Sequence, residues 1–310
     1  MRWRLATLLS LAGLSLAGLL TGSLLFQAGA MAEPVAPNVY RIEHNASPAG
    51  ANVRSYYIDL IEEIFHRTQA EFGPATLERV PGDVPQARLL ALLAHGRLDL
   101  LWTTTSRQRE ALATPIRIPL DMGLTGQRAL VIRADRKAEF DAITSLEELG
   151  RLKACQGAYW PDTAVLRAAG LRVVEFEWID LAYPALYDGR CDYLPRGINE
   201  IDSEVRAVGD PGVMVYDRLL LSYPLPMYLF VAPQRAELAR RLTLGLERMV
   251  ADGGLRRFLE QHPATSMIFP LGRYRGARVL HLANPDLPEE TPLNDPRLWL
   301  DVAGPHRPKS

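Results

Sequence analysis

At 310 residues, with 48% hydrophobic and 23% charged side chains, the chain is long enough to bury a sizeable core or to form two lobes of ordinary domain size. Nothing in the composition points to a disordered, collagenous or coiled-coil protein. Thirty-five basic and 36 acidic residues give a net charge of -1, too little to gather nucleic acid or anionic lipid, so any charged partner must be recognised in a local site.

Arg2 and Arg4 precede an apolar stretch from Leu5 to Phe26, and Ala30-Met31-Ala32 stands before Glu33. This pattern reads as a cleavable secretory signal over residues 1–32. The alternative is an uncleaved anchor, since a span of about 20 apolar residues crosses a bilayer. No cysteine lies at the junction, so no lipoprotein anchor is expected. No later stretch is apolar for long enough to cross a membrane.

Strand-like and helix-like segments then alternate, as in an α/β arrangement with mainly parallel sheets. Val39 to Ile42 reads as a strand. Tyr57, Leu60, Ile61, Ile64 and Phe65 form the single apolar stripe of a helix laid on a sheet. Leu77 to Val80 is a second strand, Gln86 to His95 a helix stopped by Gly96, and Leu98 to Thr103 a third strand. Gly126 to Arg133 reads as a strand leaving the first half. Ser145 and Glu148 form a capping box, with Gly150 as the stop. Leu152 to Cys155 is the next strand. Asp162 is read as the cap of a helix over Thr163 to Ala169, followed by the strand Arg172 to Phe176. A helix around Pro184 to Asp188 leads to the strand Cys191 to Leu194. Leu219 to Val231 returns to the first half, which a long helix from about Gln234 to Asp252 completes. Asn284 to Ser310 shows no periodicity and is expected to be a surface-hugging or mobile tail.

His95-Gly96-Arg97-Leu98-Asp99 is echoed by Asp188-Gly189-Arg190-Cys191-Asp192. Each copy has a helix, Gly-Arg-x-Asp, an apolar strand and a polar loop carrying arginine, which suggests two lobes of similar construction. The expected division is 36–128 with 220–275 for the first lobe, 129–219 for the second and 276–310 for the tail. Cys155 and Cys191 are the only cysteines. An exported protein permits a disulfide, yet if Cys155 ends its strand and Cys191 begins its own, the Cα separation exceeds the roughly 7 Å bridging limit. Two buried thiols are the expectation, with pairing as the alternative.

Ligands of open α/β sheets lie outside the carboxyl ends of the strands. Trp102, Thr104, Ser106 and Arg109 follow one such end, and their hydroxyls and planar guanidinium suit an oxyanion. The plain alternative is a solvated helix start capped by Ser106. Gln156, Trp160, Asp162 and Thr163 follow another end and run into a helix N-terminus, which attracts anions; there the alternative is that Asp162 fills the terminus and the rings are core. Arg196 and Asn199 follow a third end, where Arg196 either faces ligand or pairs with Asp192, Glu200 or Asp202. Glu43, beside His44 after the first strand, is a candidate for a ligand ammonium, against plain solvated polarity. The six histidines and two cysteines show no zinc spacing, and there is no phosphate loop or nucleophile elbow, so no metal and no cofactor is expected. Arg273-Tyr274-Arg275 is too short a basic-aromatic stretch for nucleic acid.

Gly96-Arg97-Leu98-Asp99 with the Thr/Ser loop and Arg109, Ser145-Leu146-Glu147-Glu148-Leu149 before Gln156-Gly157, and Gly189-Arg190-Cys191-Asp192 resemble the type II periplasmic solute-binding proteins of ABC transporters, in particular the amino-acid-binding subgroup. The resemblance covers Val39 to His262. It implies a two-lobed fold, a periplasmic location, a small-molecule ligand such as an amino acid or organic anion, an inner-membrane ABC permease as partner, and a monomer. It also implies that Thr104, Ser106 and Arg109 bind the ligand α-carboxylate and that Gln156, Gly157, Asp162 and Thr163 contact ligand from the second lobe. The chain departs from the family where Arg196-Gly197 replaces the usual acid for the ligand ammonium and where Glu43-His44-Asn45 replaces a proline-aromatic pair. The loop from Asp99 to Arg109 is also shorter than usual. The expected function is binding without catalysis. The rivals are a sensor that presents its closed form to a receptor, a lyase or dehydratase on the same fold using Glu43, His44 or Glu200 as acid or base, and a chain that has lost ligand binding.

Overall fold

In the computed structural model, which describes residues 36–44, 51–81 and 86–302, β1 (Asn38–His44) leads through α1 (Ala51–Arg67) and the one-turn α2 (Gln69–Phe72) to β2 (Ala75–Pro81), its parallel partner. The expected export signal lies outside the described residues. α3 (Gln86–Ala94) precedes β3 (Leu100–Thr104), and α4 (Arg107–Glu110) precedes β4 (Thr114–Ile116). The chain then crosses in β5 (Gln127–Arg133) and runs through α5 (Lys137–Asp141), α6 (Leu146–Leu149), β6 (Lys153–Gly157), α7 (Pro161–Ala168), β7 (Arg172–Phe176), α8 (Ala182–Tyr187), β8 (Tyr193–Gly197) and α9 (Ile201–Val208). β9 (Val213–Ser222) and β10 (Met227–Val231) bring it back to α10 (Ala236–Ala251) and α11 (Gly254–Gln261), before β11 (Arg278–His281). β10 lies between β3 and β4, and a six-stranded sheet runs in the order β11-β9-β5-β8-β6-β7.

The helices follow their apolar stripes. Tyr57, Leu60, Ile61, Ile64 and Phe65 of α1 are all buried, as are Leu238, Leu242, Leu246 and Met249 of α10, and the two helices pack on each other. Among the described residues no helix is long and apolar enough to cross a membrane. The sheets are mixed where mainly parallel ones were expected. β10 pairs antiparallel with β3 and β4, and β5 pairs antiparallel with β8 and β9. The crossing strands cause this, because each enters a sheet from its far end.

The Gly-Arg-x-Asp echo has one physical meaning in both copies. Gly96 and Gly189 stand at φ 67° and 71°, the left-handed conformation that ends a helix most cheaply at glycine. Three residues on, the aspartate pins the start or middle of the neighbouring strand. The Asp99 carboxylate accepts from the Arg41 amide at 2.7 Å, and the Asp192 carboxylate accepts from the Lys153 amide at 2.7 Å. Each also holds an arginine, Arg41 and Arg235 for Asp99 and Arg136 for Asp192.

Two expectations are corrected. Cys155 and Cys191 form a disulfide with a Cα separation of 5.5 Å. Cys155 sits in the middle of β6, not at its end, and β6 and β8 are parallel neighbours with Ala154 opposite Tyr193, which brings residue 191 alongside. Within the segment expected as a tail from residue 276, β11 adds an edge strand parallel to β9 that the sequence did not announce, whereas residues 282–302 run back across the molecule as the surface-hugging alternative has it. A four-residue strand is too short to display a period.

Two tests follow from the packing. Burial pushes the Asp99 carboxyl up, but Arg41, the Arg41 amide and Arg235 outweigh it and hold the group below its usual range. A depressed folded pKa gives stability that is complete above the unfolded value and is lost as pH falls through the folded one. Asp99→Asn is therefore expected to cost about 2–3 kcal/mol at pH 7, with the difference from wild type shrinking below about pH 4; urea titrations across pH measure both. The disulfide closes a 36-residue separation, for which loop entropy suggests about 3–4 kcal/mol. Cys191→Ser and dithiothreitol are expected to lower the urea midpoint by the same amount, and an unchanged midpoint in either case contradicts the bridge.

Candidate functional site

Ser106 caps the single turn of α4, its Oγ accepting from the Arg109 amide at 3.2 Å. That turn folds the Arg109 side chain back onto the carboxyl end of β3. Its Nη1 donates to Thr103 Oγ1 at 2.7 Å, to the Thr104 carbonyl at 2.7 Å and to Thr104 Oγ1 at 2.9 Å. Its Nη2 donates to Gln86 Oε1 and, across the gap, to the Tyr159 carbonyl at 3.1 Å. Arg109 is only 4% exposed, and among the described residues no carboxylate forms an ion pair with it. Burial pushes its guanidinium down to about 10, against the opposing pull of Asp162 and Asp286.

Deeper in the same region the charges are already matched. Arg128, which precedes the apolar run Ala129 to Ile132 of β5, places Nη2 2.5 Å from Asp162 and Nη1 3.2 Å from Glu200. Asp162 also accepts from the Tyr223 hydroxyl at 2.7 Å. Arg196 forks onto Glu204 at 2.6 and 2.5 Å, reaches Glu200 at 3.0 Å, and lies 4.6 Å over the Trp160 ring. Burial pushes the Glu200 carboxyl up against the pull of Arg196. Asn199 donates to Asp121 at 3.0 Å and to Thr125 at 3.2 Å. A Cβ at Gly197 would stand 2.3 Å from Asn199 Oδ1 and 3.2 Å from Glu200 Oε1, so any side chain there has to displace the Asn199 amide.

No model of a known protein family matches the chain, and no curated protein matches it. Solved structures do. An ancestral arginine-binding protein bound to arginine is 21% identical, with 73% of this chain and 98% of the other covered at a TM-score of 0.54. The chain has the type II periplasmic-binding-protein fold. An ancestral amino acid-binding protein, described as a precursor of cyclohexadienyl dehydratase, aligns at 17% identity over 73% of this chain and 95% of its own at a TM-score of 0.53. A histidine kinase sensor domain with similarity to periplasmic binding proteins aligns at 17% over 73% and 96%, also at 0.53.

Arg109 follows β3 of the β3-β10-β4 sheet and Tyr159 follows β6 of the six-stranded sheet, so their contact joins the two sheet systems. Beside it runs a groove of about 500 Å³. Ala87, Leu90, Ser106 and Arg109 line it from the side of the first sheet system, Tyr159, Trp160, Pro161 and Thr163 from the side of the second, and Asp286 joins them from the C-terminal segment. Of the residues singled out in the sequence, Ser106, Arg109, Trp160 and Thr163 therefore share one wall or the other. Thr104 holds Arg109. Trp102 instead stacks on Tyr57 at 5.3 Å between ring centroids. Asp162 is not the helix cap: Trp160 occupies that position, Pro161 opens the helix, and the Asp162 carboxylate is spent on Arg128 and Tyr223. Gln156 is buried, its Oε1 accepting from the Gly157 amide at 3.2 Å. Arg196 and Asn199 lie in the inner network. The side chains of Glu43 and His44 lie outside the described residues.

Sequence reading passed over Arg128, Asp121, Glu204 and Asp286. Arg128 carried a usable signal, since a charged residue on a strand reading Ala-Leu-Val-Ile is buried only if paired. Asp286 gave none, because its partner Arg107 is remote in sequence; Asp121 and Glu204 have nearer partners in Thr125 and Arg196, but no repeating pattern of residues marks them. Arg196→Gln leaves Glu200 and Glu204 buried together without their main cation. It is expected to cost about 3–5 kcal/mol at pH 7, and less as pH falls and Glu200, pushed up by burial, takes up a proton, as measured by urea unfolding.

Proposed function

We propose that this chain is an exported solute-binding protein whose two lobes close over a small carboxylate-bearing ligand. The observation that carries the reading is Arg109: a guanidinium buried at the groove wall, held by five neutral acceptors and by no carboxylate of the described residues. Burying a charge without a counter-charge is costly, and an anion arriving through the groove supplies what the chain does not. Arg128 and Arg196 are matched by tethered acids, so Arg109 is the arginine open to a new partner. The Gln156 Nε2, Asn199 Oδ1 and Arg128 Nε atoms are buried without partners among the described residues, which favours a cleft that exchanges polar contacts on binding over an inert core.

The action needs no chemical step. A ligand that touches both lobes binds the closed form more tightly and shifts the population towards it. Glu200, one of the acids considered for catalysis, is engaged by both Arg128 and Arg196 and does not line the groove, which favours binding over lyase or dehydratase chemistry. Within the reading, the lobes divide near residues 128 and 220, the chain works in the periplasm, and an ABC permease receives the ligand. The solved neighbours named for amino acid binding support this assignment of class.

A thermal-shift screen of amino acids, monocarboxylates and dicarboxylates is the test. A ligand at about a hundred times its Kd adds about 2.7 kcal/mol to the folded state. Arg109→Ala is expected to abolish that gain with an unchanged circular dichroism spectrum. Arg109→Lys, which keeps charge but loses the paired donors, is expected to weaken binding about tenfold or more. A ligand shift that survives Arg109→Ala sinks the reading.

A further inference from the structure

Resting on Arg109 as the carboxylate site, we propose that the C-terminal segment 282–302 is a strap that brings one side chain to the groove, Asp286, and that Asp286 receives the cationic end of a zwitterionic ligand. The course of the strap is fixed by hydrogen bonds at each stage. It leaves the second lobe where the Leu282 amide donates to the Ser222 carbonyl at 3.0 Å. It passes the return strand where Asn284 Nδ2 donates to the Pro224 carbonyl at 2.9 Å. On the first lobe the Arg107 amide donates to the Asp286 carbonyl at 3.1 Å, and the Arg107 guanidinium donates to the carbonyls of Leu287 at 3.0 Å and of Pro285. It ends with the Leu300 amide on the Met122 carbonyl at 2.9 Å. Arg107 precedes Arg109 by two residues on the same turn of α4, so the strap and the anion-binding arginine share one mount.

Charge decides the role of Asp286. Asp162, Glu200 and Glu204 are bound to Arg128 or Arg196 in the inner cleft. Glu175, the other acid on the groove, is bound to Arg167 on the same wall. Asp286 faces the groove with only Arg107 Nε at 3.5 Å, and that pair is 57% and 41% exposed, the kind of contact that contributes little and exchanges readily. The groove thus presents a cation in its wall at Arg109 and an available anion at Asp286, and Ala87, Leu90 and the exposed Tyr159 line it as well. A molecule carrying a carboxylate, a short apolar body and an ammonium or guanidinium group complements all three.

Calorimetric titration of the purified protein with norvaline, lysine, 5-aminopentanoate, pentanoate and glutarate is the experiment. At least one of the three zwitterions is expected to bind tenfold or more tightly than pentanoate. Asp286→Asn is expected to remove that advantage while leaving pentanoate unchanged, Asp286→Glu to restore most of it, and Asp286→Lys to turn the preference towards glutarate. Circular dichroism confirms that each variant is folded. Pentanoate or glutarate binding as tightly as every zwitterion in the wild type, or a zwitterion advantage that survives Asp286→Asn, overturns the role of Asp286 and leaves the reading of Arg109 standing. Binding of none of the five to the wild type overturns both.

Discussion

A single buried guanidinium organises this molecule. Arginine is nearly always charged, and moving that charge away from water is tolerated only where dipoles or counter-charges replace hydration. Around Arg109 the replacement comes from hydroxyls and carbonyls, drawn from α3, from β3 and, through the Tyr159 carbonyl, from the opposite lobe. The side chain proposed to meet an incoming anion therefore also bridges the two sides of the groove, through the Tyr159 carbonyl. Arg128 and Arg196 show the other solution, with carboxylates of the chain itself supplying the counter-charge. The cleft is thus graded from a self-neutralised interior to an outer wall with one cation unmatched.

The construction of the two lobes explains how a chain with little similarity to its neighbours keeps their architecture. In both halves an aspartate after a left-handed glycine grips a backbone amide of a neighbouring strand, Arg41 of β1 for Asp99 and Lys153 of β6 for Asp192. Such a grip helps to fix where that neighbouring strand lies. Because the aspartates act on backbone amides, the side chains around them are free to change as long as the glycine and the acid remain.

How much of this was legible depended on how local each cause was. The stripes of α1 and α10, the capping serines at 106 and 145, and the glycine stops at 96 and 189 are written within a few residues of the feature they produce, and the sequence reading found them. The loop after β3 was placed correctly because it depends on one strand end. The cysteine pairing and the mixed strand directions depend on which strands become neighbours, which short-range periodicity does not encode. Asp162 shows the limit most clearly. Its position favours a helix cap, yet Arg128 and Tyr223, remote in sequence, claim its carboxylate, and Trp160 with Pro161 starts the helix instead. Arg196 was read with the correct kind of partner, though Glu204 was missing from the candidates.

The late crossings of the chain also bear on how the molecule is made. β10 enters between β3 and β4, strands formed from residues synthesised far earlier, and the last described residues fasten both lobes at once. Emerging from the ribosome, the two halves can each collapse locally, but residues 282–302 reach Arg107 and Met122 only after the rest of the described chain has been made. Cutting back that segment therefore acts on the groove itself, where Asp286 stands among the lining residues.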